Sequence, residues 1–339
     1  MKNRHDARPA GPGAVPSGWL RARRIAGYGA AGTMALYLAV KVTWVVGGLL
    51  GAVPGAFTAD APGWIALNVI TVGMAAVGIS LGLALAQPWG KHLPGWLVIL
   101  SSWIASGLLV SLLPHSVLSA LLGAATAEAG SVPDPFPRWE SALIAIGFVG
   151  MAVGLLVAVP VYMRERWPSA FTGRSGSGGP AVASARLIAC TLAAATIPAA
   201  LWAYWAGGGT LGLNADALEL WNLDARLLVG TSAVWAVIGA LSAWALSGRS
   251  RARLPTWLPM AAGFVASGSL VAWNAWRALW LLLPITGVEQ MRSPGVAVIE
   301  HCTAIAAGLA IMTIVMRAYR VNASGGRWSR TQPAARSHP

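Results

Sequence analysis

Charge is scarce in this 339-residue chain: Asp, Glu, Lys and Arg together make up 10% of it, and the acidic residues number only 11. Soluble domains carry about a quarter of their residues as charges, so the composition excludes an ordinary water-soluble globule. Cysteine is almost missing. Cys190 and Cys302 cannot build a disulfide framework, and they fall in opposite halves of a bilayer by the topology below, so no bridge between them is expected. Phe and Tyr are sparse at five each, while Trp is abundant at 18.

What is present is apolar. Hydrophobic residues make up 56% of the chain and the mean hydropathy is +0.62, the make-up of a multi-pass cell-membrane protein whose first partner is the lipid bilayer. The net charge of +13 does not point to nucleic acid, because the basic residues lie in short segments between apolar runs, where they orient helices in a membrane.

A hydrocarbon core of about 30 Å takes roughly 20 helical residues to cross. Eight segments qualify, over residues 27–50, 64–87, 95–113, 140–163, 186–206, 226–247, 257–283 and 296–318, so the expected fold is all-α with eight transmembrane helices. The connecting segments carry the orientation signal. Lys2, Arg4, Arg8, Arg21, Arg23, Arg24, Lys91, Arg164, Arg166, Arg174, Arg186, Arg249, Arg251, Arg253, Arg317, Arg320, Arg327, Arg330 and Arg336 fall on one side of that arrangement. The other side holds Arg138, Arg226 and Arg292 among Asp60, Glu128, Asp134, Asp216, Glu219, Asp224 and Glu289. Both termini are therefore expected in the cytoplasm. Residues 1–24 read as a disordered basic tail, 165–185 as a Gly/Ser/Pro linker and 321–339 as a second disordered tail. The first apolar run is too long for a signal-peptide core and reads as a retained helix.

The linker separates two halves that match at a constant offset of 161 residues: WVVGGLLG (Trp44 to Gly51) falls on WAGGGTLG (Trp205 to Gly212), LPGWL on LPTWL, and ASGLLV (Ala105 to Val110) on ASGSLV (Ala266 to Val271). Glu140 and Glu300 correspond at an offset of 160. Residues 25–164 and 186–320 are thus expected to be two four-helix repeats. An even number of crossings leaves them in parallel orientation, related by a pseudo-two-fold along the membrane normal.

The repeated Trp-x-x-Gly-Gly-x-x-Gly at the end of a first helix, on Trp44, Gly47, Gly48 and Gly51 and again on Trp205, Gly208, Gly209 and Gly212, resembles an uncharacterised family of small four-helix bacterial membrane proteins. The likeness covers those helix ends and the four-span plan of each half, and implies no activity.

Two basic residues fall inside spans. Lys41 lies about 15 Å from either end of its helix, too far to snorkel fully, and shares a face with Tyr37, Trp44 and Gly48. A charge there is a candidate functional group, an anion or carboxylate counter-ion or part of a proton-coupled site; its plainer role is that of a lysine satisfied by backbone carbonyls or hydroxyls. Arg277 and Glu300 each sit about 10 Å inside one end of their helices and are expected to pair, with Trp273, Trp276 and Trp280 alongside. His301, His115 and Glu140 form a candidate proton relay.

Glu300, His301 and Cys302 cannot converge on one metal, since consecutive helical residues point about 100° apart. GGGTLG (Gly207 to Gly212) and GISLG (Gly78 to Gly82) lack the strand that a dinucleotide loop or nucleophile elbow requires. No enzyme chemistry, metal or cofactor is expected. The apolar start of the segment after Leu113 is expected to form a short interfacial helix.

The expected function is a small transporter or permease for a small solute or ion, with a polar cavity between the halves lined by Lys41, Arg277 and Glu300, and Tyr37 and Trp44 beside it. The alternative is a non-catalytic scaffold or accessory subunit bound to a membrane partner protein.

Overall fold

A computed structural model describes residues 15–123, 136–171, 182–250, 254–282 and 292–331. Lys2, Arg4, Arg8, Glu128, Asp134, Arg174, Arg251, Arg253, Glu289 and Arg336, together with the side chains of Trp280, Arg327 and Arg330, lie outside the described residues.

The described chain is all-α. Its helices are α1 (Ser17–Leu49), α2 (Ala61–Ala86), α3 (Gly95–Leu109), α4 (Leu113–Leu122), α5 (Arg138–Arg166), α6 (Ala185–Ala206), α7 (Ala215–Glu219), α8 (Leu223–Leu246), α9 (Trp257–Leu282) and α10 (Pro294–Thr331). Short polar side chains start several of them by accepting an otherwise orphaned N–H. Asp60 accepts from Gly63 at 3.0 Å for α2, Ser184 from Leu187 at 3.2 Å for α6, and Asn222 from Ala225 at 3.0 Å for α8.

Seven segments among the described residues are long and apolar enough to cross a membrane: Ser17–Leu49, Ala61–Ala86, Gly95–Leu122, Arg138–Arg166, Ala185–Ala206, Leu223–Leu246 and Pro294–Ala323. The protein is therefore a multi-pass membrane protein by helix length and composition. The seventh of the eight expected spans, α9, is a 26-residue helix but is not among the seven, because Asn274, Arg277 and its serines dilute the apolar run. The segment expected to form a short interfacial helix is helical as α4, which continues α3 through one 3-10 turn at Val110–Leu112 and so belongs to the single apolar segment Gly95–Leu122.

The ends differ from expectation. α1 begins at Ser17, so Arg21, Arg23 and Arg24 are helical rather than part of a loose tail. Arg23 is drawn in because it is buried against Glu165 of α5, at 3.5 Å. At the other end α10 runs through Thr331, so residues 321–331 are helical where a loose tail was expected.

Two lobes result. α1, α2 and α5 pack around Met34, Leu81, Leu85, Met151, Leu155 and Tyr162, and α6, α8, α9 and α10 around Trp202, Trp205, Leu270, Ile311 and Ile314. At one end of the first lobe, Glu165 binds both Lys91 and Arg23. There Tyr162 donates to the Gly90 carbonyl at 2.7 Å and Arg166 to that of Leu93 at 2.6 Å. These contacts latch the α2–α3 turn onto the end of α5.

The lobes meet where α3 crosses α9. A Cβ on Gly107 would fall inside the backbone of Gly268, so the two backbones touch, and Trp103 donates its indole N–H to Ser267 at 2.9 Å across the crossing. A second bridge joins α4 to the first turn of α8, where Asp224 accepts from Ser119 and contacts His115 at 3.1 Å.

Candidate functional site

Lys41 and Glu300 each sit in a cluster of polar side chains between helices, one in each lobe. In the first, Lys41 donates to Asn68 Oδ1 at 3.0 Å and lies over the Trp44 ring, 4.0 Å from its centroid, with the Tyr37 ring centroid at 5.6 Å. Asn68 is fully buried, and its Nδ2 donates to the Trp64 carbonyl one turn back at 2.8 Å. That bond turns the amide oxygen toward the lysine. A cation on an indole face is held by the ring quadrupole as well as by its hydrogen bond. The Trp44 indole N–H in turn donates to Glu140 Oε2 at 2.9 Å, and its ring stacks on Phe136 at 4.2 Å and packs near Trp64 at 5.3 Å. Three helices, α1, α2 and α5, are thereby tied together.

The second cluster centres on Glu300, whose side chain has 0% exposure. A lone carboxylate there would cost several kcal/mol, so its partners decide whether the helix forms at that depth. Arg292 Nε lies 2.6 Å from Oε2, Trp202 donates its indole N–H to Oε1 at 2.7 Å, and Arg277 Nη1 stands farther off at 3.8 Å. The Arg292 contact is an ion pair without aligned hydrogen-bond geometry. Arg292 also lies over the Trp205 ring at 4.9 Å. Its backbone is placed by the turn after α6: the Gly212 carbonyl accepts from Ser293 at 2.9 Å, and Leu213 bridges Arg292. Gly212 adopts φ +86°, and Gly51, at the matching point after α1, adopts φ +83°, a left-handed conformation that glycine enters without strain. Gly51 turns the chain just past the end of α1, whereas α6 is left at Gly208, φ +99°, and Gly212 shapes the turn that follows.

Beside Glu300, His301 Nδ1 meets Asn274 Oδ1 at 2.9 Å, and Asn274 Nδ2 donates to the Leu270 carbonyl at 2.8 Å. With the amide nitrogen committed to a carbonyl, its oxygen faces the ring, so Nδ1 is the protonated imidazole nitrogen. Asn274 serves His301 as Asn68 serves Lys41. In both, a buried amide bonds back one turn and presents its oxygen to a neighbouring helix.

The structure brings together Tyr37, Lys41 and Trp44 on one face, and Arg277 with Glu300. It does not assemble the expected relay: His115 is held by Asp224, Glu140 by Trp44 and His301 by Asn274, on different helices. Nor do the charges line a common cavity. The cavity between the lobes, of about 490 Å³, is bounded by Tyr37, Thr71, Ser101, Phe148, Trp273 and Trp276 and is mostly apolar. Lys41, Arg277 and Glu300 are absent from its wall, because each turns to partners within its own lobe.

Sequence reasoning missed Asn68, Asn274 and Arg292. The two asparagines stand alone in apolar runs, LNVI and AWNAW, a signal as informative as a charge had amides been weighed alike. Arg292 was expected among the outer connecting residues. Among the described residues no three His, Cys, Asp or Glu side chains gather closely enough to hold a metal ion, and Cys190 and Cys302 are free and exposed. No protein-family model matches the chain, and no curated protein or solved structure shows a significant match to it.

Proposed function

We propose that the chain is an eight-span cell-membrane protein of two parallel four-helix repeats, both termini cytoplasmic, acting as a non-catalytic scaffold or accessory subunit of a membrane complex. The observation that carries the functional part is the internal use of every intramembrane charge just described: Lys41 on Asn68 and Trp44, and Glu300 on Arg292, Arg277 and Trp202. A permease for a polar solute keeps such groups facing its pathway. Here they tie helices to one another.

Several features support the architecture. At 26 residues, α9 is about 39 Å long, enough to cross, and its amide Asn274 is buried within the lobe. Arg23, Lys91 and Glu165 meet at one end of the first lobe, and Arg249 reaches the Ala183 carbonyl at 3.1 Å, which puts the end of α8 beside the start of α6. Gly107 and Gly268, which touch, occupy the same place in the two halves. At a two-fold axis a residue meets its own equivalent, so this contact favours a duplication with its pseudo-axis through the α3–α9 crossing.

A second reading, a carrier of small apolar or amphiphilic solutes, draws on the inter-lobe cavity and the tyrosine and tryptophans that bound it. Replacing Lys41 by Met and, separately, Arg277, Arg292 and Glu300 together by Met, Met and Leu tests the two. The scaffold reading expects native-membrane cross-linking to one stoichiometric partner in the wild type, and the triple variant to keep it. The carrier reading replaces it if no such partner is found while proteoliposomes move an amphiphile that the cavity-filling Ser101→Leu blocks.

A further inference from the structure

A second cavity, of about 520 Å³, opens between the lobes at the end of the molecule that carries the arginines. Its wall is apolar except for Arg164, which is exposed and has no acidic partner among the described residues. The neighbouring Glu165 is already taken by Lys91 and Arg23. Four aromatics from different elements share the wall with Arg164: Trp19 of α1, Trp167 just past α5, Trp257 of α9 and Tyr319 of α10. Trp and Tyr favour the headgroup level of a bilayer, where an apolar ring and a polar N–H or O–H are both accommodated. From Trp257 the groove extends along α9 to Phe264, seven residues or about 10 Å toward the bilayer centre.

We propose that this groove binds an anionic phospholipid, one acyl chain lying between the lobes and the phosphate against Arg164. Hydrocarbon fills an apolar groove at this depth whatever the headgroup; Arg164, the guanidinium on the groove wall and without an acidic partner among the described residues, selects for negative charge. Basic pockets between membrane helices recognise acidic headgroups in this way, and a guanidinium matches a phosphate's paired oxygens. Free phosphate does not fit the same description, since one exposed arginine on an apolar wall supplies no second ligand. The inference goes beyond the scaffold reading and needs only that this end lies at a membrane surface.

The test uses the full chain, delipidated in neutral detergent and titrated with phosphatidylglycerol, phosphatidylcholine or inorganic phosphate, with bound lipid read by native mass spectrometry and stability by thermal melting. Phosphatidylglycerol is expected to be retained about fivefold better than phosphatidylcholine, the effect of one arginine near an anionic headgroup. Arg164→Gln is expected to abolish the preference while leaving phosphatidylcholine binding unchanged, and Arg21→Gln, exposed and off the groove, to leave it intact. Ala261→Trp, which fills the groove, is expected to reduce retention of both lipids. Equal retention of the two lipids by the wild type, a preference that survives Arg164→Gln, or stabilisation by inorganic phosphate equal to that by phosphatidylglycerol would each overturn the proposal.

Discussion

Asn68 shows how one side chain decides whether a charge is tolerated inside the first lobe. Its oxygen is the hydrogen-bond acceptor of Lys41, and its nitrogen has no freedom to turn away. Asn68→Leu strands the ammonium over an indole face, and a loss of about 1–2 kcal/mol is expected, the upper range for interhelical hydrogen bonds in membranes. Adding Lys41→Met to Asn68→Leu should recover most of it, which a double-mutant cycle by reversible unfolding in mixed micelles would measure. Glu300 and Glu140 make a sharper contrast. Glu300→Gln leaves Arg292 buried opposite a neutral amide and should cost about 3–5 kcal/mol. Glu140→Gln keeps an oxygen for the Trp44 indole and should cost about 1 kcal/mol. Similar losses at both positions would show that the Glu300 cluster is held by packing and not by charge.

At the scale of elements, the α3–α9 crossing depends on having no side chain at Gly107 or Gly268. Gly107→Ala should lower the melting temperature by several degrees, while Gly73→Ala, whose Cβ would meet nothing within 4 Å, should be neutral or slightly stabilising through helix propensity. Equal effects would mean the helices do not meet there. The helices themselves were legible in the sequence because runs such as ALIAIGFVGMAVGLLVAV admit no other reading in a bilayer. Helix ends were less so. Arg23 reads as tail until Glu165, far away in the chain, is known to face it, and Arg292 reads as loop until the Gly212 turn sets it beside Trp205. The expected polar cavity failed for the same reason: charge positions are visible along a helix, but the partners that neutralise them come from other helices. The Arg277–Glu300 pairing could be anticipated because both residues lie at a similar depth on neighbouring helices.

At the scale of the molecule, each lobe has its own apolar core, and the contacts between lobes centre on the α3–α9 crossing, flanked by α4 and the Val110–Leu112 turn against α8 and by Pro168–Phe171 against α10. Fragments cut within residues 172–181 and co-expressed should therefore reassociate in the membrane and co-purify. Adding His115→Leu with Ser119→Ala, which strips the α4–α8 bridge, should weaken that recovery several-fold. Failure of the unaltered fragments to associate would mean that the covalent link, and not the crossing, holds the lobes together. The glycine contact on which that crossing rests also bears on what the protein was free to become. In a dimer of identical chains every residue is present twice, so a lysine at the depth of Lys41 would be balanced by a second across the axis. Joined in one polypeptide, the halves can differ, and here one has Lys41 where the other has Trp202. Under the proposed duplication, joining the halves in one chain lifts the parity that a dimer of identical chains enforces, and Lys41 opposite Trp202 is a position where the two sequences have parted.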